Sequence, residues 1–174
     1  MTPSTLYSPV RSTPTHAPAD APADAADPRR IALTLAERPD LWRPLVRFTE
    51  PRFYQRLAAG SRWEAWLLSW LPGQGTGLHD HGGSAGVFTV LDGEVDESVP
   101  VRRPGEAARL VTRTYRAGAV RAFGPRHLHD VTGRPGLRSV TLHVYAPRLT
   151  AMTRYSLLDG ELITVARERE GEDW

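Results

Sequence analysis

Five of the six histidines of this chain lie between positions 79 and 143, at His79, His81, His127, His129 and His143. The first two stand in "GLHDHGGSAGVF", which begins at Gly77. In a strand, residues two apart share a face, with Cα atoms about 6.5–7 Å apart. His79 and His81 can therefore reach one ion, and neutral imidazole suits Zn, Cu, Fe and Ni. A lone His-x-His beside a glycine-rich turn needs no metal. A second pair, "HLH" at His127 to His129, and the single His143 in "SVTLHVY" favour a metal site. Spacing alone leaves open which histidines bind. The chain has no cysteine, which excludes disulfides, thiolate ligands and a cysteine nucleophile.

The elements that must position these residues are short. The chain has 174 residues, the length of one ordinary domain, and its 15 proline and 15 glycine residues favour turns over long helices. Residues 1–28, with "THAPADAPADAADP", read as a flexible Ala/Pro-rich tail holding His16. Residues 29–174 read as a single domain, with a helical cap over 29–62 and a barrel over 63–174. The cap contains a helix before Pro39 and another starting near Asp40, the expected N-cap. "EPRFYQRLAAG" reads either as a further helical turn or as an extended lead-in. From Trp63 the reading is β: "RWEAWLLSWL", then hairpins at Asp92-Gly93 and Asp159-Gly160, with alternating segments between them. Short strands at regular spacing predict a mainly β fold, an antiparallel barrel or sandwich.

The composition also excludes partners. All 22 basic residues are arginines, scattered against 20 acidic ones for a net charge of +2, so no nucleic-acid patch is expected. The longest apolar run, "AWLLSWLP" from Ala65, is too short to span a membrane, and the N-terminus has no secretory signal pattern. A cytoplasmic monomer is the expectation.

"PGQGTGLHDHGGSAGVFTVLDGEV" and "RHLHDVTG…SVTLHVYAP" resemble the two halves of the cysteine dioxygenase type of thiol dioxygenase, within the cupin superfamily. The resemblance spans roughly residues 40 to 165. It implies a small antiparallel β-barrel or jelly roll and a three-histidine Fe(II) site at His79, His81 and His129, with His127 as the reserve ligand. Ordinary cupins carry a glutamate ligand shortly after the His-x-His; here Gly83, Ser84, Ala85 and Gly86 occupy that region. In animal members, a cysteine at the position of Gly86 is crosslinked to the tyrosine that matches Tyr145. This chain, as in bacterial members, must leave Tyr145 unmodified.

The same resemblance assigns Thr141, His143 and Tyr145 to a relay like the family's Ser-His-Tyr. It gives Arg56 the substrate carboxylate, with Tyr54 beside it and Met152 lining the pocket. The implied substrates are a small thiol amino acid, L-cysteine first, and O₂. The related 3-mercaptopropionate enzymes carry glutamine at the position matching Arg56, and Gln55 is adjacent. A non-catalytic, ligand-binding cupin remains the alternative of another class.

Overall fold

The protein is described here by a computed structural model, which describes residues 27–170. Most of the expected tail, with His16, lies outside the described residues. Two short helices precede ten strands. Helix α1 (Pro28–Ala36) starts where Asp27 accepts the Arg29 N–H at 3.0 Å, with Pro28 in the first turn, where its missing donor costs nothing. Ile31, Ala32 and Leu35 form its buried stripe. Helix α2 (Pro39–Trp42) begins one residue earlier than expected. Arg38 takes the N-cap position, and Asp40 lies in the first turn, bonded to the Arg38 guanidinium at 2.9 Å.

The strands are β1 (Tyr54–Ala59), β2 (Glu64–Trp70), β3 (Ala85–Asp92), β4 (Glu94–Val101), β5 (Arg109–Arg116), β6 (Val120–Phe123), β7 (Asp130–Gly133), β8 (Ser139–Ala146), β9 (Ala151–Leu158) and β10 (Glu161–Arg169). Strand β1 falls inside the span read as helical cap. Its residues pair antiparallel with β2, which resolves "EPRFYQRLAAG" as extended. A five-stranded sheet runs β1-β2-β8-β3-β6, a three-stranded sheet β5-β4-β7, and β9 and β10 form a two-stranded ribbon. The sheets are separate rather than closed into one continuous ladder.

The large sheet is buried on both faces, and alternation sorts its side chains. Ala65, Leu67, Val87, Val140, Leu142 and Val144 pack with α1 and α2 residues in one core. On the other side, Leu68, Trp70, Phe88, Val90 and Tyr145 meet Val95 and Val131 of the three-stranded sheet in a second core. Thr141, His143 and Tyr145 therefore point between the sheets while their neighbours face the helices. This double burial explains why "SVTLHVYA" is so evenly buried.

The two Asp-Gly dipeptides behave differently. Asp159-Gly160 closes the β9–β10 hairpin, with φ of 49° and 78°. Asp92-Gly93 does not make the expected hairpin: β3 pairs with β6 and β8, whereas β4 pairs with β5 and β7. It is the corner at which the chain leaves one sheet for the other. Gly93 has φ 71°, and a Cβ there would collide with the Arg138 carbonyl and lie 2.7 Å from Ser139 Oγ. That serine accepts the Glu94 N–H at 3.1 Å. Gly93→Ala is expected to cost about 1–3 kcal/mol and lower the melting temperature by several degrees. An unchanged melting curve would refute this reading of the corner.

Candidate metal centre

His79 and His81 occupy the loop between β2 and β3 rather than a named strand. His129 stands just before β7. Main-chain bonds tie the two segments: His79 N–H donates to His129 O at 2.9 Å, and His129 N–H to His79 O at 3.1 Å. The β9 strand clamps the same loop from the other side. Asp80 N–H donates to Thr153 O at 3.0 Å, and its carboxylate accepts Gly82 N–H, Thr153 N–H and the Tyr155 hydroxyl at 3.0, 3.0 and 2.8 Å. The aspartate in "HDH" thus points away from the metal position and fixes the turn.

These constraints converge the three imidazoles. One ligand nitrogen from each of His79, His81 and His129 lies within 4.8 Å of the other two. His79 Nδ1–H donates to Gly77 O at 2.9 Å, and His129 Nδ1–H to Glu97 Oε1 at 2.8 Å, so each leaves Nε2 for an ion. Both His81 nitrogens and His129 Nε2 are buried with no hydrogen-bond partner. Such orphaned atoms cost free energy unless something satisfies them. A metal ion would satisfy His129 Nε2 and one of the His81 nitrogens. Burial holds all three imidazoles below the usual histidine range, His81 at about 3. They are neutral donors at physiological pH.

His127 is not in this group. It stacks on Phe123, with ring centroids 5.1 Å apart, and its Nε2–H donates to Glu97 Oε1 at 2.9 Å. Glu97 itself, on β4, is 2 % exposed, and its other oxygen accepts Arg121 Nε–H at 2.9 Å. Burial works to raise the Glu97 pKa, yet the bonds from His127, His129 and Arg121 hold it well below the usual carboxylate range. Sequence reasoning missed this residue. The signal was a glutamate two residues after Val95, on the inward face of a strand.

Thr141, His143 and Tyr145 are brought together. Trp70 Nε1–H donates to Thr141 Oγ1 at 2.9 Å, and Thr141 Oγ1 lies 2.9 Å from His143 Nε2. Thr141 Oγ1 thus accepts from Trp70 and shares a second hydrogen bond with His143 Nε2. His143 Nδ1 lies 3.4 Å from the Tyr145 oxygen, so the three side chains form one row across the inner face of β8. Burial lowers the His143 pKa well below its usual value and raises that of Tyr145. Both are therefore neutral at physiological pH. Gly86 faces the Tyr145 ring: a Cβ there would lie 3.0 Å from Tyr145 Cδ1 and 2.6 Å from Phe123 Cζ. Phe123 fills the space in which a side chain at position 86 would sit.

A cavity of about 570 Å³ opens beside His79 and Tyr145, and Tyr54 and Met152 line it. Arg56 does not. It lies 3.8 Å from the buried Glu64 and 3.9 Å from Glu170, with its guanidinium 5.8 Å from the Trp66 ring. The cations of the cavity wall are Arg52 and Arg154. Arg52 sits 4.6 Å over the Trp70 ring, and Arg154 pairs bidentately with Glu168 at 2.9 Å.

Two outcomes follow from this geometry. His129→Ala should abolish metal retention and His127→Ala should leave one metal per chain, measured by elemental analysis after desalting; the reverse would move the third ligand. The metal-free protein should lose stability as pH falls from about 7.5 towards 5. Unfolded histidines take up protons near 6.5 that the buried ones refuse, so each contributes up to about 1.4 kcal/mol per pH unit in that window. A melting temperature that is flat or rising on acidification would contradict the burial of neutral imidazoles.

The fold and the site have relatives. A structure from Klebsiella pneumoniae, titled an uncharacterised conserved protein with a double-stranded β-helix domain, is 17% identical with a TM-score of 0.53, covering 67% of this chain and 88% of its own. A cupin superfamily protein of Desulfitobacterium hafniense is 15% identical with a TM-score of 0.50, covering 61% and 87%. These likenesses concern the fold. At the level of sequence, residues 19–157 match the family described as cysteine dioxygenase type I. With its three-histidine centre in a cupin fold, this chain belongs to the cysteine dioxygenase type I family.

Proposed function

We propose that the protein is an Fe(II)-dependent thiol dioxygenase that converts L-cysteine and O₂ to cysteine sulfinate. The observation that carries this reading is the set of three neutral, buried imidazoles with no carboxylate among them. Three neutral donors would add no negative charge to a divalent metal held there, which would favour a thiolate ligand. Held by His79, His81 and His129, Fe(II) would supply the redox chemistry and bring thiol and O₂ together. The balance is simple: the thiol R–SH and O₂ give R–SO₂H, with both oxygen atoms retained.

The chain's own residues have separate tasks in this scheme. Tyr145 lines the cavity as a neutral phenol, in a row with His143, Thr141 and Trp70. Leu68, Leu149 and Met152 give the cavity an apolar wall that limits water around the reacting sulfur. Arg52 of the cavity wall provides the positive charge for a carboxylate, with Tyr54 beside it, while Arg154 is held by Glu168. Arg56 acts from outside this lining, through the pair with Glu64.

The place of Arg56 favours a second reading, 3-mercaptopropionate as substrate. The argument for cysteine leaned on that arginine, and its engagement with Glu64 and Glu170 removes part of that support. The protein loaded anaerobically with Fe(II) should consume O₂ with L-cysteine and give sulfinate carrying two ¹⁸O atoms from ¹⁸O₂. A higher kcat/KM for 3-mercaptopropionate would select the second reading, and no thiol-dependent O₂ uptake would defeat both. Arg52→Ala should raise the apparent KM more than Arg56→Ala; the opposite order would return the carboxylate to Arg56.

A further inference from the structure

Among the described residues, Glu97 is the buried carboxylate that hydrogen-bonds to a metal-binding histidine, and it does so from outside the ligand set. Its Oε1 accepts two imidazole N–H bonds, from His129 Nδ1 at 2.8 Å and from His127 Nε2 at 2.9 Å, while Oε2 takes Arg121 Nε–H at 2.9 Å. The carboxylate is 2 % exposed and His129 is 1 % exposed. Glu97 belongs to the three-stranded sheet, on β4, opposite Val131 of β7, two residues beyond His129.

We propose that Glu97 is a positioning residue for the metal: it fixes the Nε2-donor tautomer and ring orientation of His129 and makes that imidazole a stronger donor. Among the described residues, His79 and His81 have no comparable anionic partner. His79 donates to a neutral main-chain carbonyl, and His81 has neither nitrogen bonded. His129 is therefore the ligand whose donor strength the protein raises. The negative charge that ordinary cupins place directly on the metal reaches it here through one ring. A metal held there would keep three neutral ligands, and the Glu97 anion would act on it only through the His129 ring. His127 and Arg121 hold the two Glu97 oxygens as well, and so oppose the carboxylate's swinging into the metal position.

The alternative is a second metal at Glu97, His127 and His129, whose ligand atoms also cluster within 4.8 Å. The separations argue against it. The two N···O distances, 2.8 and 2.9 Å, are those of direct hydrogen bonds, and the Arg121 cation already holds the other oxygen. Loss of such an outer partner typically costs ~10–100-fold in metal affinity.

The inference needs a metal at the three histidines but not the thiol reaction, so an enzyme inert towards thiols leaves it standing. The test uses Zn(II) and Co(II) on the full chain. In ¹⁵N-histidine NMR of the Zn(II) protein, His129 Nδ1 should carry a proton and one Zn should bind per chain. Glu97→Gln should weaken Zn(II) binding ~10–100-fold and shift the visible Co(II) spectrum, with circular dichroism of the metal-free variant remaining that of a folded protein. His127→Gln should weaken binding less. A His129 Nδ1 without a proton, two Zn per chain, or equal effects of the two variants would overturn the proposal. The NMR measurement on the unaltered chain decides the matter even if Glu97→Gln does not fold.

Discussion

Three imidazoles buried in one place, with nitrogens that no protein group satisfies, set the terms for everything around them. Orphaned polar atoms in a protein interior oppose folding, by about 1–3 kcal/mol each on mutational scales. His81 has two such atoms and His129 one. They persist because the surrounding main chain leaves them no alternative. The His79–His129 bridge and the Asp80 clamp on β9 determine where the rings go. The fold holds an electron-rich, uncharged concavity open, and a cation is the natural resolution of the strain this creates.

The same logic explains the layers. A site of this kind requires exclusion of water on several sides. The large sheet provides it by being buried twice, under α1 and α2 on one face and against the three-stranded sheet on the other. One strand, β8, therefore carries hydrophobic anchors and the Thr141-His143-Tyr145 row at alternate positions. Trp70 links the row to β2, and Phe123 packs against the His81, His129 and Tyr145 rings at 4.7–6.3 Å. Packing and chemistry here use the same side chains. Substitutions at Trp70 or Phe123 would disturb both.

Much of this was legible in the sequence, and the limits are instructive. The His-x-His spacing pointed to the centre, although strand periodicity governs only His143 on β8; His79 and His81 lie on a loop and are positioned by its bonds to His129 and β9. The strand alternation gave the fold class. Dipeptide chemistry gave turns but not partners: Asp159-Gly160 joins paired strands, whereas Asp92-Gly93 joins different sheets, a choice made by long-range packing. Glu97 escaped notice because its role depends on a contact 32 residues away in the chain. Arg52 and Arg56 lie four residues apart, and the structure separates them by placing Arg52 in the cavity wall and Arg56 beside Glu64 and Glu170.

X-ray absorption of the Fe(II)-loaded protein addresses the central claim most directly, because it counts the ligands. Three imidazole scatterers, with a sulfur scatterer appearing when the thiol is added, is the predicted result. A carboxylate from Glu97 in the coordination shell, or two or four imidazoles, would contradict a centre built from His79, His81 and His129 alone.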